Sequence, residues 1–160
     1  MRKISIIGYV GYFNKKEEVE MIEIEKIRVK DVMNTPVVTI SGNATVKEAA
    51  EKMVKTGYRG LVVERVDEED AFGIITLADI VYKVIAKGLP LEKVKVLEVM
   101  TKPCITVPDY YDIKYAAKLM AMANIVRLPV MSGNELVGIV TLRDLIKPFI
   151  GKWLELKKIK

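Results

Sequence analysis

A chain of 160 residues, 51% hydrophobic and 29% charged, can fill a core and keep a charged surface, as one ordinary domain or as two small halves sharing a core. With no histidine and a single cysteine, Cys104, it cannot build a Cys/His zinc site, a histidine-based triad or an internal disulfide. The net charge of +5 points to anionic partners, no run approaches the roughly 18 apolar residues of a membrane span, and the N-terminal segment lacks a convincing cleavage site, so the expected location is the cytoplasm.

Residues 1–26 read as an N-terminal extension without a counterpart elsewhere in the chain. ISIIGYVGYF has the pattern of a strand that extends a sheet or crosses to a partner, NKKEEVEMIEIEK that of a polar connection or short helix, and Met21 is an alternative start. From residue 27 the chain is a duplication. VKDVMNTPVVTI begins the first copy with a turn carrying Val32-Met33 and a strand over Val37 to Ile40. Thr45 and Glu48 have the spacing of a capping box, and Val46, Ala49, Ala50 and Met53 form the apolar stripe of the helix that follows. A strand at Leu61 to Val63, an acidic loop from Glu64 to Asp70 and the strand-to-helix element GIITLADI, residues 73–80, complete the copy. Gly88 stops it and Pro90 prevents resumption.

The second copy repeats this order. VLEVMTKPCITV places Val99-Met100 and Thr106 67 positions after Val32-Met33 and Thr39. Asp112 takes the capping position, and Ile113, Ala116, Ala117 and Met120 repeat the helical stripe. Leu128 to Val130 is the next strand, SGNE at 132–135 the turn, with Gly133 and Asn134 tolerating positive φ, and GIVTLRDL at 138–145 the closing element. Met120 and Met122 read as core packing or dimer interface, and Tyr110, Tyr111 and Trp153 as interface candidates. The expected organisation is repeat 1 at 27–88, repeat 2 at 94–150 and a basic tail at 151–160. The expected fold is α+β: two β-α-β-β-α repeats packed sheet to sheet with pseudo-twofold symmetry, an arrangement that creates two equivalent clefts.

The two Thr-x-x-Asp elements, Thr76 with Asp79 and Thr141 with Asp144, fit two chemistries. Each is the signature of a capping box. Each also joins a helix start that favours an anion to a carboxylate one turn on, which can accept the hydroxyls of a ribose. A cap alone gives no reason for the upstream glycine and the flanking strand to recur together. Arg127 and Arg143 flank the second element where the first has Gly60 and Ala78, so the second cleft is expected to prefer the more phosphorylated ligand. Arg59 partly compensates in the first copy.

DVM and EVM, TPVVTI and KPCITV, RLPV at 127–130 and the two G-h-h-T-x-x-D elements together resemble a tandem pair of cystathionine β-synthase (CBS) domains, a Bateman module, over about residues 27–150. The resemblance implies a non-catalytic regulatory module that needs no cofactor or metal. It binds an adenosine-containing ligand, AMP, ADP, ATP or S-adenosylmethionine, between its halves, pairs into homodimers and signals to an effector protein. Carried onto this sequence, the nucleotide-binding residues are Thr39, Arg59, Thr76, Asp79, Thr106, Arg127, Pro129, Thr141, Arg143 and Asp144, with Thr39 and Thr106 bordering the adenine. The alternative reading is a nucleic-acid-binding protein using the basic surface and the tail lysines Lys157, Lys158 and Lys160.

Overall fold

A computed structural model describes residues 27–157, with side chains described as far as residue 150. The expectations for residues 1–26, Met21, Trp153 and the tail lysines lie outside the described residues. The first half runs α1 (Val29–Val32), β1 (Thr39–Ile40), α2 (Val46–Thr56), β2 (Gly60–Val63), β3 (Gly73–Thr76) and α3 (Leu77–Lys83), closed by a 3-10 turn at Ile85–Lys87. The second runs α4 (Val96–Val99), β4 (Val107–Pro108), α5 (Ile113–Ala123), β5 (Arg127–Ser132), β6 (Glu135–Thr141) and α6 (Leu142–Lys157). Each half holds a three-stranded sheet, ordered β1-β2-β3 or β4-β5-β6, whose first pair is parallel and second antiparallel.

Local sequence explains most element ends. Thr45 caps α2 as its spacing predicts: its hydroxyl accepts from the Glu48 N–H at 3.2 Å, and the Glu48 carboxylate accepts from the Thr45 N–H at 2.6 Å. α2 and α5 stop at Gly57 and Asn124, whose φ of 75° and 52° lie in the left-handed region that these two residue types tolerate. Gly88, at φ 68°, closes the first half as expected. Asp112 departs from expectation. It stands at the start of α5 without a side-chain cap, because its carboxylate is taken by an ion pair with Arg28, just ahead of α1. In the 132–135 turn only Gly133 has positive φ.

α2 buries Val46, Ala49 and Met53 against Leu61 and Val63, and α5 buries Ile113, Ala116 and Met120 against Leu128 and Val130. Met122, by contrast, is exposed. Strand alternation sends Val62 and Pro129 to the opposite faces, where both are buried and the two halves meet. Pro129 is therefore part of the contact between halves.

The short helices do not stay with the copy that encodes them. α1 belongs to the first repeat in sequence, yet Val29, Val32 and Met33 pack into the core of the second half. α4 belongs to the second repeat, yet Val96, Val99 and Met100 pack into the core of the first. The backbone follows the same exchange. The Val29 and Lys30 N–H groups donate to Tyr111 and Asp109, and those of Val96 and Leu97 to Ala44 and Gly42. Asn34 exchanges two bonds with Ile139, as Thr101 does with Ile74. Val29 and Val96 are fully buried, and burial of a valine contributes roughly 1.5–3 kcal/mol, here to holding one half against the other.

The exchange also accounts for the glycine that opens each G-h-h-T-x-x-D element. A Cβ on Gly138 would overlap the Met33 sulfur, and one on Gly73 would come within 2.9 Å of the Met100 sulfur. Each glycine makes room for the methionine of the opposite repeat.

Candidate functional site

β3 leads directly into α3 and β6 into α6, which sets Thr76 and Thr141 at the junctions. At Thr76 the full capping box is formed, and at Thr141 its carboxylate half is. Thr76 donates to Asp79 Oδ2 from its N–H at 2.8 Å and from its hydroxyl at 2.6 Å. Thr141 does the same to Asp144 Oδ2 at 2.9 and 2.7 Å. The other carboxylate oxygen of each faces a lysine, Lys83 on Asp79 Oδ1 at 2.6 Å and Lys147 on Asp144 Oδ1 at 2.8 Å. One oxygen therefore shapes the turn while Oδ1 keeps acceptor capacity for a ligand hydroxyl.

The copies differ in their surroundings. Asp144 is only 2% exposed and Oδ2 takes a further bond, from Asn34 Nδ2 at 2.7 Å. The equivalent of Asn34 is Thr101, which is exposed. Burial disfavours the charged form of both carboxylates, yet the lysine and threonine hydrogen bonds outweigh it. Both groups are held below the usual aspartate range.

Two clefts open where the halves meet. The Asp144 cleft, about 640 Å³, joins Thr141, Arg143 and Asp144 to Tyr58, Arg59 and Gly60 of the other half. The Asp79 cleft, about 800 Å³, joins Thr76 and Asp79 to the corner from Asn124 to Arg127. Apolar walls complete them: Val37, Val38 and Ile139 in the first, Ile74 and Ile105 in the second. Each cleft thus takes its Thr-x-x-Asp turn from one half and a corner from the other. The Asp144 cleft is lined by Arg59, Arg127, Arg143 and Lys147 against one carboxylate, the Asp79 cleft by Arg59 and Arg127 against one.

Arg59 and Arg127 border both clefts. Arg127 lies over Gly60, its own counterpart in the duplication, and donates from Nη1 to the Arg59 carbonyl; a Cβ on Gly60 would overlap the guanidinium. Its Nε is buried without a hydrogen-bond partner among the described residues. Burial lowers the Arg127 pKa, the like charge of Arg59 lowers it further, and Asp79 works in the other direction.

The family model for the CBS domain matches residues 29–86 and 96–151. This chain belongs to the CBS domain family. Solved structures agree. The hexameric CBS-CP12 protein from bloom-forming cyanobacteria is 40% identical, with a TM-score of 0.74 over 79% of this chain and 74% of that one. The CBS domain pair of protein MJ0100, in complex with 5′-methylthioadenosine and S-adenosyl-L-methionine, is 34% identical, with a TM-score of 0.68 over 78% of this chain and 97% of that one. The CBS domain protein PAE2072 from Pyrobaculum aerophilum, complexed with AMP, is 26% identical, with a TM-score of 0.70 over 79% and 97%.

In this CBS pair seven of the ten sequence-predicted site residues line a cleft: Arg59, Thr76, Asp79, Arg127, Thr141, Arg143 and Asp144. Thr39, Thr106 and Pro129 line neither. The Thr39 hydroxyl donates to Glu64 Oε1 at 2.6 Å, and its carbonyl accepts from Lys52. The cleft walls come instead from the residues just before, Val37 and Val38 in one copy and Cys104 and Ile105 in the other. These are equivalent pairs, each directly after a Pro, and each Pro follows a cis peptide bond, at Thr35–Pro36 and Lys102–Pro103. The repeated Pro-apolar-apolar step was the signal that marked them. Burial raises the pKa of the Cys104 thiol, which keeps it neutral on this wall.

Proposed function

We propose that this CBS pair is a regulatory module that takes an adenosine-containing ligand in the two clefts between its halves and passes their occupancy to an effector protein. The observation that carries it is the duplication of the whole site: twice, a carboxylate with a half-free oxygen, two shared arginines and an apolar wall converge across the interface. Asp79 and Asp144 accept ribose hydroxyls through Oδ1, the apolar walls cover the base, and the arginines take phosphate. Supporting this are the AMP complex of PAE2072 and the S-adenosylmethionine complex of MJ0100. Because it carries two more cations, the Asp144 cleft is assigned the more phosphorylated ligand among AMP, ADP and ATP.

The route outward runs through two apolar stripes. Leu77, Val81 and Ile85 on one side and Leu142, Ile146 and Ile150 on the other are successive fourth residues, each 38% to 53% exposed. Leu77 and Val81 also border the Asp79 cleft, and Leu142 the Asp144 cleft. A second copy fits them, since two stripes related by a pseudo-twofold axis can be covered together in an isologous dimer. Ligand entry then presses on the same side chains that hold the partner copy.

A thermal-shift series with AMP, ADP, ATP and S-adenosylmethionine tests the reading. A ligand at 100 times its Kd stabilises the native state by about 2.7 kcal/mol, so at least one of the four should raise Tm by several degrees. An unchanged Tm with all four at millimolar concentration refutes it.

A further inference from the structure

We propose that Arg127 makes the two clefts antagonistic toward phosphate-bearing ligands, because one guanidinium shared between them can serve only one at a time. The inference rests on the adenosine-ligand reading and adds a rule for how the sites influence each other. A duplicated fold would normally supply one such side chain per cleft. Here the duplication is broken: Arg127 stands opposite Gly60, and the absence of a side chain at Gly60 is what lets the guanidinium lie against the other half.

Its position fixes what it can offer. Nη1 is committed to the Arg59 carbonyl, which leaves Nε and Nη2 as one fork for an incoming anion. Nε is buried and unpartnered, so a phosphate oxygen that reaches it satisfies a donor that is otherwise costly. Arg127 borders both clefts while its Nε has no open face, so a phosphate in either cleft engages the fork by turning the guanidinium toward itself, and one excludes the other. Arg59 also borders both but is exposed, and its long side chain is free to follow whichever ligand is present. The second phosphate therefore meets an occupied fork and the field of a like charge. A ligand without phosphate makes no demand on Arg127, and two such ligands bind independently.

The experiment closes one cleft and reads the other by titration calorimetry. Val37 lines only the Asp144 cleft and belongs to neither core, so Val37→Trp plugs that cleft from its wall. In the wild-type chain AMP should bind in two steps. In Val37→Trp the remaining Asp79 cleft should bind AMP at least about fivefold tighter than the second wild-type step, the lower end of ordinary coupling between sites. Adenosine should bind that cleft as it does in the wild type. The gain should vanish when Arg127→Gln is added. A second variant checks the order of filling, since Ile105→Trp, on the exposed wall of the Asp79 cleft, should remove the second step and leave the first, in the Asp144 cleft, at its wild-type affinity. An AMP affinity in Val37→Trp equal to the second wild-type step overturns the coupling while leaving the adenosine reading intact. Failure of the wild-type chain to bind either AMP or adenosine overturns that reading and the coupling with it.

Discussion

Gly138→Ala tests the exchange of α1 and α4 between halves. The added Cβ would overlap the Met33 sulfur and sit 2.9 Å from its Cγ and 3.2 Å from its Cβ. The obstacle is the root of the side chain as well as its tip, so α1 itself must shift. Overpacking of this kind costs about 1–3 kcal/mol, while replacing glycine in a strand returns roughly 0.5–1 kcal/mol of chain entropy. Because the contact reaches Cγ and Cβ the cost lies in the upper half of that range, so a net loss of about 1–2.5 kcal/mol follows, which for a chain of this size lowers Tm by roughly 2–10 °C. Met33→Ala alone should also destabilise, because it removes packing from the second core. In the double variant the sulfur and Cγ overlaps are gone and only the 3.2 Å approach to the residue 33 Cβ remains, so the combined loss should fall short of the sum of the two by about 1 kcal/mol or more. Urea unfolding followed by far-UV circular dichroism measures all three. Strictly additive losses would mean that Met33 does not pack on Gly138, and the crossed arrangement would be refuted.

Two further outcomes are expected. Asp79 and Asp144 have pKa values lowered in the folded chain, so the stability they contribute is complete above the unfolded value of about 3.9 and is lost as pH falls below it through the folded values. Urea midpoints should therefore drop steeply below about pH 4, and the double variant Asp79→Asn, Asp144→Asn should flatten that drop; an unchanged slope would refute the assignment. Ile146→Asp, in the middle of an exposed stripe, should convert a dimer to a monomer in light scattering with little change in Tm. A mass still equal to two chains would rule out that face as the dimer contact.

The sequence made some of this visible and hid the rest for identifiable reasons. The duplication, the Thr45 cap and the Thr76–Asp79 and Thr141–Asp144 junctions are local patterns, and each formed as its spacing predicts. The exchange of α1 and α4 left no such trace. Periodicity reports that Val29 and Val96 have an apolar side, and it is silent on which core that side enters. The misassigned cap has the same origin, since Asp112 meets Arg28 only because α1 lies on the second half. The resemblance puts Thr39 and Thr106 beside the adenine, and the apolar cleft walls come from the residues one and two positions earlier, which the resemblance does not single out. The contact of Arg127 with Gly60 was foreshadowed by their alignment at equivalent positions, which gave the charge difference but not the fact that both belong to the same spot.

The crossed arms bear on what counts as a unit of this protein. Neither copy, taken from its first residue to its last, contains everything its own core requires: the first half lacks Val96 and Met100, the second lacks Val29 and Met33. A single copy released from the chain would carry an unplaced arm and an unfilled groove of matching shape. Two such molecules would complete each other by trading arms. The tandem chain is the tethered form of that trade, and each half is held to the other by an arm that forms part of its neighbour's core.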